Sequence, residues 1–473
     1  MKTVLEVLAV VAVAYFVVLN ALYVFFTAIA WRGMTHHRRE RRFSAVAETF
    51  SSPLTPPVSV LLPAYNEQRG IVESVRSLLS LRYPEFEVIV VNDGSSDGTI
   101  ARLTEAFELV PVRKALRDAV PTAPVRRAYV SRRHPELSVI DKDNGGKADA
   151  LNCGVNAARF PYVCAIDADA ILEDDALIHV TKPILEDPDR VAATGGIVRI
   201  ANGCTVEHGR VTAVRLPRNK LAGLQVVEYL RAFLVGRLGW SRIGSLLIIS
   251  GAFGVFRRSL VDAVGGWATD TVGEDLELVV RLHGYLRDRG EEYRIEFVAD
   301  PVCWTEAPED LRHLSRQRRR WQRGLAETLW RHRRVWGRPR YGLLGLVAGP
   351  YFVLFELFGP VLQVASYPVV AVAFATGAVS TRFLVAFLLV TVLLGALLSL
   401  AALALEELGF GRYARGRDAA RLFGYALLEN LGYRQLNDLW RVQAFLDLLL
   451  RRRQWGEMRR RGFDSLPGSA PGR

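Results

Sequence analysis

Long apolar runs divide the chain into membrane-like and soluble-like regions. Val7 to Ala30 is apolar or small except for Asn20 and Thr27, and it is long enough to cross a hydrocarbon core of roughly 30 Å. Phe383 to Leu405 is a second run of sufficient length. Leu343 to Ala375 is too long for one upright span and contains three prolines. We therefore predict transmembrane helices at 7–30 and 383–405, and a kinked transmembrane segment at 343–375.

The region from Pro57 to Pro308 has the pattern of an α/β domain, because short apolar runs alternate with helical stretches. Four continuous apolar runs predict buried parallel strands. They are Val58 to Leu62, Val88 to Val91, Val139 to Ile140 and Val163 to Ile166. Each run is followed by polar residues. Ligands bind at the carboxyl ends of the strands in doubly wound sheets, so we expect these polar clusters to form one site.

Basic residues accumulate beside the apolar runs. Residues 31–56 contain five arginines directly after the first run, which predicts a cytoplasmic linker with the N-terminus outside and 57–308 inside. Leu311 to Arg340 holds eleven arginines and one acid, so we predict amphipathic interface helices at 309–340. Residues 422–450 are interpreted as an amphipathic or re-entrant helix, and 451–473 as a basic cytoplasmic tail.

The composition agrees with a membrane protein. Half of the residues are hydrophobic and the formal net charge is +12. Arginine clusters are also found in proteins that bind nucleic acid, but beside membrane spans they more often face anionic lipid. We therefore expect membrane lipids, and no nucleic acid, among the partners. The four cysteines form no CxxC pair and no zinc spacing, which indicates reduced thiols in a cytosolic domain.

Two aspartates, Asp167 and Asp169, follow the last of the four predicted strands. Carboxylates at positions i and i+2 of an extended chain point to the same side, and hard oxygen ligands suit Mg²⁺ or Mn²⁺. The alternative is a set of acids that stabilises the start of a helix.

Two glycine-containing turns follow earlier strands. Asp93 lies in VNDGSSDGT, which is either a plain turn or a place where a carboxylate accepts hydrogen bonds from a nucleoside. Lys147 lies in NGGKADALN, where a glycine turn and a lysine open a helix, and this arrangement favours phosphate. The spacing of a P-loop is absent.

Two further motifs lie later in the chain. Asp275 follows Gly273 and Glu274 at a predicted helix start, so it is either a capping acid or a general base for an acceptor hydroxyl. Gln317 and Trp321 belong to QRRRW on the basic helix and share a face with Arg320. Arginine can pair with a diphosphate and tryptophan can stack on a sugar. The alternative is a lipid-headgroup anchor, which fits Arg318, Arg319 and Arg323 better.

The ordered set of motifs resembles glycosyltransferase family 2, in its membrane-bound, polymer-making branch of cellulose, hyaluronan, chitin and poly-N-acetylglucosamine synthases. The matching motifs are PAYNE at Pro63 to Glu67, VNDGSSDGT, NGGKADALN, DAD, GED at Gly273 to Asp275, and QRRRW as the family's QxxRW. The sequence departs from the family in its long, arginine-rich stretch from Phe107 to Leu137 and in Gly273, where cellulose-type members have threonine.

The resemblance implies a GT-A fold, a UDP-sugar donor, Mg²⁺ or Mn²⁺, inversion to a β-linkage and a multi-pass location in the bacterial inner membrane. By motif it implies roles for residues in several places. Ala64, Tyr65, Glu67 and Asp93 would hold uridine, while Lys147 and Asp167 would contact the donor and Asp169 the metal. Asp275 would be the general base. Ser250 and Gly251 would line the acceptor site, and Gln317, Arg320 and Trp321 would bind the diphosphate and the acceptor end.

Several functions stay open at this point. The enzyme could extend a glycan processively, or transfer one sugar to a lipid-linked or short glycan acceptor. It could also be a silent scaffold of an envelope assembly, although that reading predicts loss of Asp169 or Asp275, and both are present. UDP-GlcNAc and UDP-glucose both remain donors to test. A channel through so few spans would need a second copy or an envelope partner.

Overall fold

The computed structural model describes residues 1–43, 55–207, 209–413 and 416–450. These residues form two compact units that are interleaved along the chain. Residues 1–39, 216–243, 308–413 and 416–450 belong to one unit, here called the helical unit. Residues 40–43, 55–207, 209–215 and 244–307 belong to the other, here called the sheet unit. The predicted basic tail at 451–473 and residues 44–54 of the predicted linker lie outside the described residues.

Regular elements cover most of the described chain. The strands are β1 (Val58–Ala64), β2 (Phe86–Asp93), β3 (Leu109–Val112), β4 (Val125–Ser131), β5 (Leu137–Lys142), β6 (Tyr162–Ile166), β7 (Ala170–Leu172), β8 (Val191–Ile200), β9 (Thr205–Glu207), β10 (Arg210–Ala213), β11 (Phe253–Arg257) and β12 (Arg294–Thr305). The α-helices are α1 (Lys2–Phe43), α2 (Ile71–Leu79), α3 (Thr99–Phe107), α4 (Lys147–Ala157), α5 (Ala176–Glu186), α6 (Lys220–Leu230), α7 (Leu238–Arg242), α8 (Arg258–Ala263), α9 (Glu274–Asp288), α10 (Leu311–Arg331), α11 (Gly349–Tyr351), α12 (Gly359–Ala375), α13 (Thr381–Leu388), α14 (Leu394–Gly409), α15 (Gly416–Leu428) and α16 (Arg434–Leu449). Wider π turns occur at Arg231–Arg237, Leu344–Ala348, Phe352–Leu357, Leu389–Leu393 and Glu429–Tyr433, and a 3₁₀ turn at Pro339–Tyr341.

The sheet unit is built on a mixed sheet with the order β3-β4-β5-β2-β1-β6-β11-β8-β12-β7, to which ten of the described strands belong. Its centre is the parallel set β5, β2, β1 and β6, which contains the four predicted strands. All residues of β1 and β6 are buried, as their continuous apolar sequences require. The parallel set brings four carboxyl ends to one edge of the sheet, so the α/β prediction is confirmed.

Strand β11 lies antiparallel between β6 and β8, and this junction depends on glycine. Gly254 of β11 pairs with Gly195 of β8. A Cβ atom would lie 2.5 Å from the Ile249 side chain at Gly254 and 2.7 Å from it at Gly195. Both distances are below van der Waals contact, so Ile249 packs directly on two backbones and fixes the chain just before Ser250.

The helical unit contains apolar helices of membrane-spanning length. Two described helices, Lys2–Thr35 and Thr381–Gly409, are long and apolar enough to cross a bilayer. The helices Leu344–Leu357 and Gly359–Ala375 pass the same test together and are bent by 46° at their junction. The bend lies where Gly359 and Pro360 interrupt the apolar run. These helices cover the segments predicted at 7–30, 383–405 and 343–375.

Buried ion pairs hold the last helices of the helical unit together. Glu429 is buried and pairs with Arg434 at 2.9 Å and Arg231 at 3.3 Å. The helix is interrupted after Glu429, because Leu431 and Gly432 have non-helical backbone angles. The segment predicted as one amphipathic or re-entrant helix at 422–450 is therefore two helices, α15 and α16, separated by a kink. Charged groups without water need such partners.

The basic helix α10 is not simply a surface anchor. Arg318 is 4 % exposed and donates to Glu228 at 2.7 Å, and Glu228 also accepts from the Tyr433 hydroxyl at 2.6 Å. Arg319 pairs with Asp447, and Arg323 pairs with Glu327. The interpretation of Arg318 as a headgroup anchor is therefore wrong, because its partner lies 90 residues away in sequence and brings it into the interior.

Candidate functional site

The loops that follow β1 and β2 are bonded to each other. Asn66 has a left-handed backbone with φ of 55°, and its amide donates to Ser95 Oγ at 2.9 Å. Ser96 N donates back to Asn66 Oδ1 at 2.9 Å, and Glu67 N donates to Thr99 Oγ1 at 3.0 Å. The predicted uridine residues therefore lie beside VNDGSSDGT. Of these residues, Ala64 is buried and Tyr65 is 53 % exposed.

Asp93 ends β2 and is buried in a dense set of donors. Its Oδ1 accepts from Lys142 Nζ at 2.7 Å and Gly145 N at 3.0 Å. Its Oδ2 accepts from Gly146 N at 2.7 Å and Asn144 Nδ2 at 3.2 Å. The Asp93 carboxylate therefore fixes the glycine turn that precedes Lys147. The sequence did not indicate this role of Asp93.

Lys147 opens α4 and lies between two carboxylates. Its Nζ is 2.6 Å from Asp167 Oδ1 and 3.2 Å from Glu274 Oε1. Burial lowers the pKa of Lys147, but the negative charges of Asp167 and Glu274 more than offset this, so its pKa is raised. The lysine is therefore a permanent cation at this edge of the sheet.

Asp275 and Gly251 are joined directly. The amide of Gly251 donates to Asp275 Oδ2 at 2.9 Å, and the amide of Leu276 donates to Asp275 Oδ1 at 2.8 Å. Lys147 Nζ also reaches the carbonyl oxygen of Gly251 at 3.4 Å. A Cβ atom on Gly251 would lie 3.1 Å from Asp275 Oδ2 and 3.1 Å from Lys147 Nζ. A side chain at this position would therefore crowd both charged groups, which would have to move by a few tenths of an ångström.

The DAD motif forms a turn instead of an extended strand end. Asp167 accepts at its carbonyl oxygen from Ala170 N at 3.0 Å, so the chain reverses between β6 and β7. The amide of Asp167 donates to Ala252 O at 3.4 Å, which links the motif to the segment that carries Ser250 and Gly251. The extended geometry predicted for Asp167 and Asp169 is therefore wrong. Both side chains remain partly exposed at the site edge.

The structure thus assembles Lys147, Asp167, Gly251 and Asp275 in the sheet unit, with Glu274 as an additional member. Sequence reasoning named Glu274 only as part of the GED motif. It also missed Lys142, which stands opposite Asp93 in the register of β5 and β2. That register could have suggested the contact once the two strands were paired.

The remaining predicted residues lie on α10 of the helical unit. Gln317 and Arg320 are partly exposed, and Trp321 is 45 % exposed. The Arg318 guanidinium lies 4.4 Å from the centre of the Trp321 ring. The roles of Gln317, Arg320 and Trp321 therefore still rest on the QxxRW motif.

Comparison with known protein families places most of the chain in one family. The sequence profile described as glycosyltransferase-like family 2 matches residues 56–324, which is more than half of the chain. The chain therefore belongs to glycosyltransferase family 2.

Relatives and solved structures refine the comparison. The chain is similar to poly-β-1,6-N-acetyl-D-glucosamine synthase of Staphylococcus epidermidis, with 31 % identity over 63 % of this chain and 60 % of the relative. It is 33 % identical to the synthase of the same name from Staphylococcus aureus strain COL, over 58 % of this chain and 56 % of that one. The match thus spans about three fifths of these relatives' length.

The fold has a counterpart among solved structures. The mannosyltransferase PcManGT of Pyrobaculum calidifontis, solved with GDP-mannose and Mn²⁺, aligns with a TM-score of 0.50 and 21 % identity. The alignment covers 91 % of this chain and 99 % of that one. The GT-A fold that the motifs implied is therefore confirmed.

Proposed function

We propose that the chain is an inverting membrane glycosyltransferase that transfers a sugar from a UDP-sugar to a growing β-linked glycan. The observation that carries the proposal is the joining of Lys147, Asp167, Gly251 and Asp275 at the carboxyl edge of a GT-A sheet. The relatives named poly-β-1,6-N-acetyl-D-glucosamine synthase favour N-acetylglucosamine over glucose as the sugar.

Donor binding needs cationic and hydrogen-bonding groups for the diphosphate. Lys147 supplies a cation at the start of α4, where backbone amides also favour phosphate. Asp167 and Glu274 hold the Lys147 ammonium group in position before the donor binds. The donor diphosphate would then compete with these two carboxylates for the ammonium group. Tyr65 offers an exposed ring beside the loop of Asp93, where the nucleoside would lie.

A divalent cation fits the residues present, although none of them forms a closed metal centre. In the described part of the chain, no group of three or more His, Cys, Asp or Glu side chains could hold a metal by itself. Mg²⁺ at phosphate sites is commonly held by one or two carboxylates, with the phosphates completing its shell, and Asp167 and Asp169, which lie in the turn after β6, would supply these carboxylates. The bound cation would stabilise negative charge on the diphosphate.

The transfer itself requires one base. The acceptor hydroxyl attacks the anomeric carbon from the face opposite the diphosphate, a new carbon–oxygen bond forms, and the bond to UDP breaks. Asp275 takes the proton of the hydroxyl. The amides of Gly251 and Leu276 hold both of its oxygens in place, so its orientation is fixed before the acceptor arrives.

The proposal is tested by presenting the purified full chain with UDP-GlcNAc, UDP-glucose and GDP-mannose in Mn²⁺. We expect UDP release from UDP-GlcNAc and a β-linked product visible by mass spectrometry. Product length distinguishes processive synthesis from single transfer. Single transfer is the second candidate function, because the described chain has few apolar helices with which to form a channel. Absence of nucleotide release with every donor and acceptor would favour the scaffold hypothesis.

The orientation in the membrane is a further part of the proposal. Lys2 is exposed at the N-terminus, Arg133 is exposed in the sheet unit, and the four native cysteines are buried. We expect Lys2→Cys to react with an impermeant maleimide on intact cells and Arg133→Cys to react only after permeabilisation. Labelling of Arg133→Cys on intact cells would contradict a cytoplasmic sheet unit.

Trp321→Ala should impair use of the acceptor more than binding of the donor, because the exposed ring is proposed to stack on the terminal sugar. We expect the acceptor KM to rise by roughly two- to tenfold, the scale of one aromatic contact, with little change in UDP affinity. Trp330→Ala is the matched control, since Trp330 is 72 % exposed on the same helix outside the motif. A loss of UDP affinity instead would assign Trp321 to the donor.

A further inference from the structure

Lys142 is a fully buried lysine next to the proposed donor site. Its Nζ donates to Asp93 Oδ1 at 2.7 Å and to the carbonyl oxygen of Asp143 at 2.6 Å, and it lies 2.5 Å from Asp149 Oδ1. An ammonium group has three protons, so all of them have acceptors. The side chain has no exposed surface and therefore cannot itself touch a substrate.

One ammonium facing two carboxylates leaves a net buried charge of −1, which needs further donors. Backbone amides supply them. Gly145 and Gly146 donate to Asp93, and Ala123 donates to both oxygens of Asp149 at 3.1 and 3.2 Å. Burial lowers the pKa of Lys142, but the hydrogen bonds that it donates to Asp149 and Asp93 raise the pKa overall, so the group stays protonated.

Lys142 ties together three parts of the chain. Asp93 ends β2, Lys142 ends β5, and Asp149 lies in the first turn of α4. Through Asp149 and Ala123 the cluster also reaches the connection 113–124 between β3 and β4, which belongs to the stretch that departs from the family pattern. The turn at Asn144 also packs closely on Gly94, the residue after β2, since a Cβ atom on Gly94 would lie 2.8 Å from the backbone nitrogen of Asn144.

We propose that Lys142 is a positioning residue for donor binding, which acts by holding Asp93 and the Gly145–Gly146 turn so that Lys147 meets the diphosphate. The inference rests on the proposed function and adds a residue that never contacts the donor. Its consequence is that the effect of Lys142 on nucleotide affinity passes through Lys147.

The test is a double-mutant cycle on the full chain, with UDP and Mn²⁺ as the probe and calorimetry as the readout. Lys142→Met alone leaves two buried carboxylates without their shared ammonium group. The main variant therefore combines Lys142→Met with Asp149→Asn, because this pair of substitutions keeps the net buried charge at −1. We expect this pair to weaken UDP binding about tenfold, the size of one charge-assisted contact. In a Lys147→Ala background the same pair should change UDP affinity by less than about twofold.

Lys114→Met is the matched control. Lys114 is a partly buried lysine that donates to Ser138 Oγ of β5 at 3.3 Å, and within the described part of the chain it makes no hydrogen bond to the Asp93 turn. It should leave UDP affinity unchanged. Equal losses in both Lys147 backgrounds, or no loss in either, would overturn the positioning role while the proposed function stands. Failure of the unsubstituted chain to bind UDP would overturn the proposed function, and this inference with it.

Discussion

The Asp275→Asn variant should transfer sugar roughly 10²-fold more slowly, or worse, the usual scale for a lost general base. Its UDP affinity should stay near that of the unsubstituted chain, because the asparagine keeps the volume of the side chain and leaves Lys147 and Asp167 in place. An amide cannot take the proton of the acceptor hydroxyl. It also offers one oxygen instead of two to the amides of Gly251 and Leu276, so its orientation becomes less certain.

The measurement is UDP release under saturating donor, beside a UDP titration and a thermal unfolding curve. Asp262→Asn is the matched control, because Asp262 pairs with Arg117 at 2.9 Å on the surface and lies outside the site. Normal turnover by Asp275→Asn would remove it from the role of base. Glu274 would then be the next carboxylate to test, since it already contacts Lys147.

The Asp169→Asn variant should lose donor binding that depends on the metal as well as transfer. We expect Mn²⁺-dependent UDP affinity to fall by about tenfold to a hundredfold, because an amide oxygen carries no charge to hold a hard cation beside the diphosphate. Binding of UDP without metal should change little. The two variants should therefore be distinguishable, since we propose that Asp275 acts on the acceptor and Asp169 on the donor.

Electron paramagnetic resonance of Mn²⁺ bound with UDP gives a readout that does not depend on turnover. Asp175→Asn is the control, because this carboxylate lies a few residues further along and is bonded to His179 at 3.2 Å. Unchanged Mn²⁺ binding by Asp169→Asn would assign the cation to Asp167. Normal binding and normal transfer by both the Asp169 and the Asp275 variants would contradict the enzyme function itself.

The parallel half of the sheet could be predicted from sequence because its information is local. The apolar runs inside β1, β2, β5 and β6 define buried strands, and the polar residues after them define the edge where the site lies. The link between the DAD motif and Ala252 was not predicted, because it depends on β11 lying beside β6, which brings Ala252 O to Asp167 N. Such a pairing joins residues that are far apart in the chain.

The burial of charged side chains could not be predicted from the sequence either. Lys142 and Arg318 look like solvated residues in their local sequences, yet both are buried by partners that the fold supplies. A polar residue's burial is decided by tertiary neighbours and not by its own segment. The kink at Gly432 was missed for a related reason, since the surrounding residues retain helical periodicity.

The interleaving of the two units constrains how the protein is made on the ribosome. The sheet unit is interrupted by residues 216–243 of the helical unit and resumes at Gly244. Strands β6 and β8 are therefore synthesised well before β11, which must enter the gap between them. Until then the nascent chain carries unpaired strand edges, which invite wrong pairing. A ribosome that stops after residue 243 would release a chain without Asp275 and with its sheet still divided.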